Sequence, residues 1–271
     1  MKQVMDAHVH TSFSSFDCQC PMQRYIDRID EGWTSGIGFS DHLHPLCEQE
    51  EKASTDWLDD AGYNAKLDEF IEKGYDIHKG VEVTYDSPHH DFILKRLHDQ
   101  DYEYVIGSVH NVDGLWVSRD YYQSFLPGAI YSNMLERYYQ ENMAMLSIEE
   151  IDVIGHVGVY RRFLRPEDAL SERYRDQITD LEHALAEKIA KSDKILELNT
   201  SSMGGPSGEP MASRQMLQAY FQAGGRNICL GSDAHDASVL CRKFVEAVAL
   251  LKEIGFSHVV YPWAKESPEK I

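Results

Sequence analysis

Asp6-Ala7-His8-Val9-His10 closes the first apolar run of the chain with two histidines two residues apart. On an extended backbone that spacing puts both imidazoles on one face, where a single metal ion can take both. The spacing returns near the far end, in Gly231-Ser232-Asp233-Ala234-His235. Between these pairs lie Ser40-Asp41-His42, Gly80-Val81-Glu82, Ser108-Val109-His110 and Gly155-His156-Val157-Gly158. One histidine after an apolar run is ordinarily a core or surface residue. Here His, Asp or Glu closes one run after another, which implies strand ends converging on one polynuclear metal centre.

Convergence also selects the architecture. Strand-like runs fall at residues 3–7, 36–40, 77–83, 104–109, 153–155, 195–199 and 228–231, with a weaker eighth at 258–261. They are short, rich in Val, Ile and Tyr, and lack strict alternation, as strands buried on both faces do. Helical patterns at 21–32, 64–74, 130–146, 175–192, 213–224 and 237–255 separate them, with loops at 43–57, 111–129, 157–172 and 200–212. The first opens with Pro21 and stops at Gly32, the usual helix punctuation. Alternating strands and helices make a parallel sheet, either open or closed. An open sheet binds ligands at one switch point, whereas a closed barrel turns all its C-terminal strand ends to one mouth. Polar residues at nearly every strand end therefore predict a barrel. Seven strands rather than eight predict an irregular one, within a single domain spanning 1–271.

The bulk properties narrow the function. With 26 Lys and Arg against 45 Asp and Glu, the net charge is −19, which repels nucleic acid and anionic membranes. No run approaches the ~20 apolar residues that span a bilayer, and no secretory h-region is visible. The five cysteines, Cys18, Cys20, Cys47, Cys229 and Cys241, suggest no disulfide framework. Cys18 and Cys20 read as loop thiols rather than a metal knuckle, and a reducing cytoplasm is the expected compartment. An anionic substrate needs concentrated local positive charge on so acidic a chain, and bound divalent cations supply it.

Among the individual residues, Glu82 at a strand end is costly to bury unless charge faces it, and its two oxygens can bridge two metals. His42, His110 and His156 gain weight from the joint pattern. His44 can reach substrate. His89, His90, His98, His183 and His258 read as structural or surface residues, and His78 as part of a strand.

These ordered motifs resemble the PHP (polymerase and histidinol phosphatase) family of metal-dependent phosphoesterases, from His8 to His235. They comprise Asp-x-His-x-His-Thr, a Ser-x-x-Asp after it, Asp-His, the strand-end Glu, Ser-Val-His, Gly-His and Ser-Asp-Ala-His. The resemblance implies a distorted (β/α)7 TIM-like barrel with two or three divalent ions. It implies that His8, His10, Glu82 and Asp233 hold a first metal, that Glu82 bridges to a second held by His110 and His156, and that Asp17, His42 and His235 hold a third. Within the family the likeness is strongest to the barrel-type histidinol-phosphate phosphatases. Glu197-Leu198-Asn199-Thr200-Ser201 looks like their Glu-hydrophobic-Asn-Thr-Ser strand, which makes Asn199 a substrate candidate. Ser202-Met203-Gly204-Gly205 departs from the glycine and basic residue that follow in many members.

The expected activity is hydrolysis of a small-molecule phosphate monoester, L-histidinol phosphate first among them, by metal-activated hydroxide. Two cations ~3.5–4 Å apart can clamp such an ester and lower the pKa of a bound water towards 7. Arg161 or Arg162 can supply a bidentate phosphate contact, and Asp233 or His235 can protonate the leaving alcohol. Mixed histidine and carboxylate ligands suit Zn, Mn or Fe better than Mg or Ca. The alternatives are a PHP phosphatase of phosphotyrosine, a sugar phosphate or a nucleotide phosphate, and a non-catalytic PHP module. Neither nucleic acid nor membrane is an expected partner, and the oligomeric state is open.

Overall fold

The computed structural model describes residues 4–13, 18–45, 58–118, 128–164 and 172–271. In chain order, β1 (Asp6–Val9), β2 (Gly36–Leu43), β3 (Asp76–Thr84) and β4 (Tyr104–Ser108) precede a short antiparallel hairpin of β5 (Asn111–Val112) and β6 (Leu115–Trp116). Then come β7 (Val153–Ile154), β8 (Ile195–Asn199) and β9 (Ile228–Gly231). Apart from the hairpin these strands form one parallel sheet in the order β1-β2-β3-β4-β7-β8-β9. Just past β9, Ala234 pairs in parallel with Val9, and the His10 N–H donates to the Ala234 carbonyl at 3.0 Å. This brings the ring of seven strands nearly to closure.

Among the described residues a helix follows each barrel strand: α1 (Met22–Asp30), α2 (Asp60–Glu72), α3 (His90–His98), α4 (Gly128–Ala144), α5 (Arg175–Ala190), α6 (Arg214–Gln222) and α7 (Phe244–Ile254). The fold is thus the (β/α)7 barrel expected. Local chemistry sets the boundaries. Pro21 precedes α1, while Asp59 and Ser213 cap α2 and α6 by accepting the N–H groups of Gly62 and Met216, which satisfies donors that a helix start leaves open. The sequence reading passed over α3, a short helix whose only buried residues are Ile93 and Leu97, and the two-residue strands of the hairpin. The eighth strand candidate forms β10 (His258–Val259), which pairs antiparallel with β11 (Glu269–Lys270) outside the barrel.

Two cores result. The larger lies between strands and helices, and the smaller fills the barrel floor with Tyr104, Ile106, Val153, Ile195, Cys229 and Val260 against Trp263. Tyr104 braces the floor, with its hydroxyl set between the carbonyls of Ala7 and Phe39 at 2.9 and 3.1 Å, either of which can accept its proton. Gly80 makes room for it, since a Cβ there would enter the Tyr104 ring. With apolar side chains filling the floor, inward positions nearer the C-terminal strand ends are left for polar groups. Among the described residues no helix is long and apolar enough to cross a membrane, and Cys18, Cys20, Cys229 and Cys241 form no disulfide with one another.

Candidate metal centre

The period of two along a strand stacks Asp6, His8 and His10 on the inward side of β1 and its extension. Glu82 does the same from β3, His42 from β2, and His110 and His156 from just past β4 and β7. Asp233 follows β9 with φ of 52°, in the left-handed region that Asp tolerates better than most residues. Eight of the nine ligand candidates meet at this mouth, and Asp17 lies outside the described residues.

Glu82 is the hub. Its Oε1 lies 2.7 Å from His156 Nε2 and 3.5 Å from His110 Nε2. Its Oε2 lies 2.7 Å from His42 Nδ1, 3.5 Å from His8 Nε2 and 3.6 Å from His10 Nε2. Asp233 Oδ1 faces His10 Nε2 at 3.2 Å and His235 Nδ1 at 3.5 Å. Three overlapping groups have ligand atoms within 4.8 Å of one another: His8, Glu82 and His156; His8, His10 and Asp233; His10, His42 and His235. His8 and His10 are therefore shared between groups, a closer overlap than the division expected from sequence. His110 stands beside the first group, at the same Glu82 oxygen as His156.

The donor set fits divalent cations. His8 Nε2, His10 Nε2 and Glu82 Oε2 are buried and make no hydrogen bond of normal geometry among the described residues. Leaving such groups unsatisfied costs ~1–3 kcal/mol each, whereas a cation would take their lone pairs. The imidazole and carboxylate mixture suits Zn, Mn or Fe. Electrostatics agree. Burial works against ionisation of Glu82, but His8, His110 and His42 outweigh it and hold the carboxyl well below its ordinary range. Burial likewise opposes ionisation of Asp233, and the close approach of His10 with the charges of His8, His235 and Arg162 reverses it. Burial, then neighbouring His42 and His235, keeps His10 well below the ordinary imidazole value.

A second layer holds these ligand candidates. Glu197 accepts His8 Nδ1–H at 2.7 Å with one oxygen and the His156 N–H at 2.6 Å with the other. Asp6 accepts the N–H groups of Ser232 at 2.9 Å and Cys241 at 3.0 Å, and burial lifts its carboxyl to about 6. Cys18 donates its thiol towards the carbonyls of His10 and His235 at 3.3 and 3.2 Å, so its place is structural. Such partners fix ring orientation and ligand basicity.

Residues 6–201 match the PHP domain family. The chain belongs to that family. Two curated relatives, each named probable histidinol-phosphatase, match over nearly their whole lengths. The one from Deinococcus radiodurans is 26% identical, covering 99% of this chain and 100% of its own. The one from Thermotoga maritima is 21% identical, covering 94% of each. Among solved structures, histidinol phosphate phosphatase from Lactococcus lactis, complexed with Zn, L-histidinol and phosphate, superposes with a TM-score of 0.81 at 20% identity, covering 99% of both chains.

Around this PHP centre the substrate candidates separate. The mouth is a cavity of about 110 Å³ whose walls include His44, Trp116, Ser118, Arg162, Asp233 and His235. Arg162 lies 3.9 Å from Asp233 Oδ2. Arg161 points elsewhere, pairing with the fully buried Glu182 of α5 at 2.6 Å. It lines a larger cavity of about 410 Å³ between α5 and α6, which holds none of the ligand candidates. Asn199 is buried beneath the ligands, donating to Glu197 at 3.2 Å and accepting from Ser201 at 2.7 Å, so it braces the site rather than facing the mouth. Of the remaining histidines, His78, His89 and His98 pair with surface carboxylates. Sequence reasoning gave no role to Glu197, Asp6 or Thr84. Glu197 carried the clearest signal, a carboxylate in the middle of an apolar strand.

Proposed function

We propose that the chain is a metal-dependent phosphomonoesterase acting on L-histidinol phosphate. The observation that carries the reaction class is Glu82, a fully buried carboxylate with imidazole nitrogens set against both of its oxygens. The substrate rests on the names and full-length coverage of the relatives and on the ligands of the Lactococcus structure. His8, His10, His42, Glu82, His110, His156, Asp233 and His235 would hold two or three cations. When bound, these cations neutralise phosphate charge and lower the pKa of a bound water towards 7. The same ligand set makes Zn, Mn or Fe the proposed ions.

The chain's own residues do the rest. Arg162, at the rim beside Asp233, offers a guanidinium to the non-bridging phosphate oxygens. Asp233 stays ionised at neutral pH because neighbouring cationic groups hold its carboxyl low, so it serves as ligand rather than proton donor. His235, a quarter exposed at the mouth, would likewise serve as ligand with Nδ1 on the Asp233 carbonyl, so the leaving alkoxide takes its proton from water entering the open mouth. The soft interior of the mouth, Trp116 and Val159, faces the alcohol.

The test is turnover of L-histidinol phosphate against phosphotyrosine, sugar phosphates and nucleotide monophosphates, with Zn or Mn added. The highest kcat/KM is expected for L-histidinol phosphate, and His8→Ala or Glu82→Ala should abolish turnover of every ester. A better substrate among the others would replace histidinol phosphate, and full activity in Glu82→Ala would overturn the metal reading.

A further inference from the structure

Thr84 ends β3 two residues beyond Glu82, on the same inward side. Its hydroxyl lies 2.8 Å from Nδ1 of His110 and 2.5 Å from Nδ1 of His44, and all three residues are buried. A hydroxyl has one proton to give. It cannot donate to both nitrogens, so at least one ring carries a proton on Nδ1 and donates to Oγ1; if both did, the buried hydroxyl proton would have no acceptor among the described residues, so the other ring accepts it.

The far edge of His110 decides which. Its Nε2 faces Glu82 Oε1 at 3.5 Å, on the ligand side. An imidazole that gives its Nε2 lone pair to a cation keeps its proton on Nδ1 and donates it to a second group. His110 is then the donor to Thr84, Thr84 donates onward, and His44 accepts at Nδ1. A neutral His44 in that arrangement carries its proton on Nε2. His44 lines the mouth beside Arg162, with its ring stacked on His42 at 4.8 Å and edge-on to Trp116 at 5.7 Å. The nitrogen it can turn to the cavity is Nε2.

We infer that Thr84 is a positioning residue that sets a one-way hydrogen-bond chain from His110 to His44, so that His44 presents Nε2–H to a phosphate oxygen in the mouth. The opposite tautomer would present a lone pair to an anion, so the direction of the chain turns repulsion into attraction. The inference rests on the metal-dependent phosphatase reading for what occupies the mouth, and not on which alcohol the phosphate carries.

The test uses the full-length, zinc-loaded protein with ¹⁵N-labelled histidine and inorganic phosphate as the probe. Two-bond proton–nitrogen correlation spectra report the tautomer of each ring, with the His44 signals assigned by their disappearance in His44→Gln. Nε2–H is expected on His44 in the native chain and in Thr84→Ser, with mixed or Nδ1–H signals in Thr84→Val. Phosphate affinity should fall about tenfold in Thr84→Val and recover in Thr84→Ser. His44→Gln, whose amide can stand in for Nε2–H, should bind phosphate better than His44→Leu. An Nδ1–H tautomer on His44 in the native loaded protein overturns the inference, and so does native phosphate affinity in Thr84→Val. A protein with the expected tautomer that leaves L-histidinol phosphate intact keeps this inference and loses only the substrate.

Discussion

His8 and Glu197, 189 residues apart in the chain, meet at 2.7 Å beneath the ligand ring with both side chains buried. That contact turns His8 Nε2 up to Glu82 while the second Glu197 oxygen holds the backbone N–H of His156. Glu197→Gln keeps the size but not the pattern. If its amide oxygen serves His8, its amide nitrogen confronts the His156 N–H, donor against donor. Zinc affinity is expected to fall ~10–100-fold with far-UV circular dichroism unchanged, as measured by competition with a chromogenic chelator. Native affinity in this variant would remove Glu197 from the metal site.

Gly231 should report on the same contact from another side. A Cβ at this position would collide with Glu197 Oε1 and stand 2.7 Å from His8 Cβ. Gly231→Ala therefore pushes the carboxylate off His8 without touching any ligand atom. Its expected signature is loss of zinc affinity in the range of Glu197→Gln, and the double variant should lose little more, because neighbours acting through one contact are not additive. Full additivity would mean that Gly231 acts elsewhere.

Much of this was legible in the sequence, for a physical reason. The ligand candidates close apolar runs because the barrel floor is filled by Tyr104, Val153 and Ile195, leaving the strand ends to carry polar groups. The convergence of His8, His10, Glu82 and Asp233 on one mouth could thus be read directly. Their supports could not. Glu197 and Asp6 sit inside strands, where period and composition say only that they are buried. Thr84 looks like any β-branched strand residue until its hydroxyl is seen between two rings. Arg161 and Arg162 are adjacent and chemically alike, and only the short helical turn over Val159–Arg161 sends one to Glu182 and leaves the other at the mouth.

That divergence makes the two arginines separable by experiment. Arg161→Ala leaves the fully buried Glu182 without its guanidinium partner, though Ser213 and Gln215 still donate to it. Breaking a buried pair costs ~3–5 kcal/mol, so the urea midpoint should fall at unchanged m-value, with KM near native in the folded protein. Arg162→Ala should show the reverse, a raised KM for the phosphate ester with the midpoint nearly unmoved. If Arg161→Ala raised KM and Arg162→Ala did not, the two roles would be exchanged.

Metal uptake should release protons, and the number should depend on pH in a stated direction. Burial opposes protonation of His8, but Glu197 and Glu82 overcome it and hold its pKa well above 6.5 in the metal-free chain. For His156, burial is likewise outweighed by its hydrogen bond to Glu82, which raises the value. Burial drives His110 well below 6.5, as it does His10, so these two are already neutral at pH 7. A raised folded pKa stabilises the metal-free fold fully below the unfolded value and loses that contribution as pH rises through the folded value. Cations compete for the same lone pairs. Zinc binding at neutral pH should therefore displace protons from His8 and from whatever share of His156 is still protonated. Affinity should climb with pH until both have titrated and then level off. Calorimetry in buffers of different ionisation enthalpy reads the proton count directly. Proton-free, pH-independent binding between about pH 6 and 8 would show that His8 and His156 are neutral before the metal arrives.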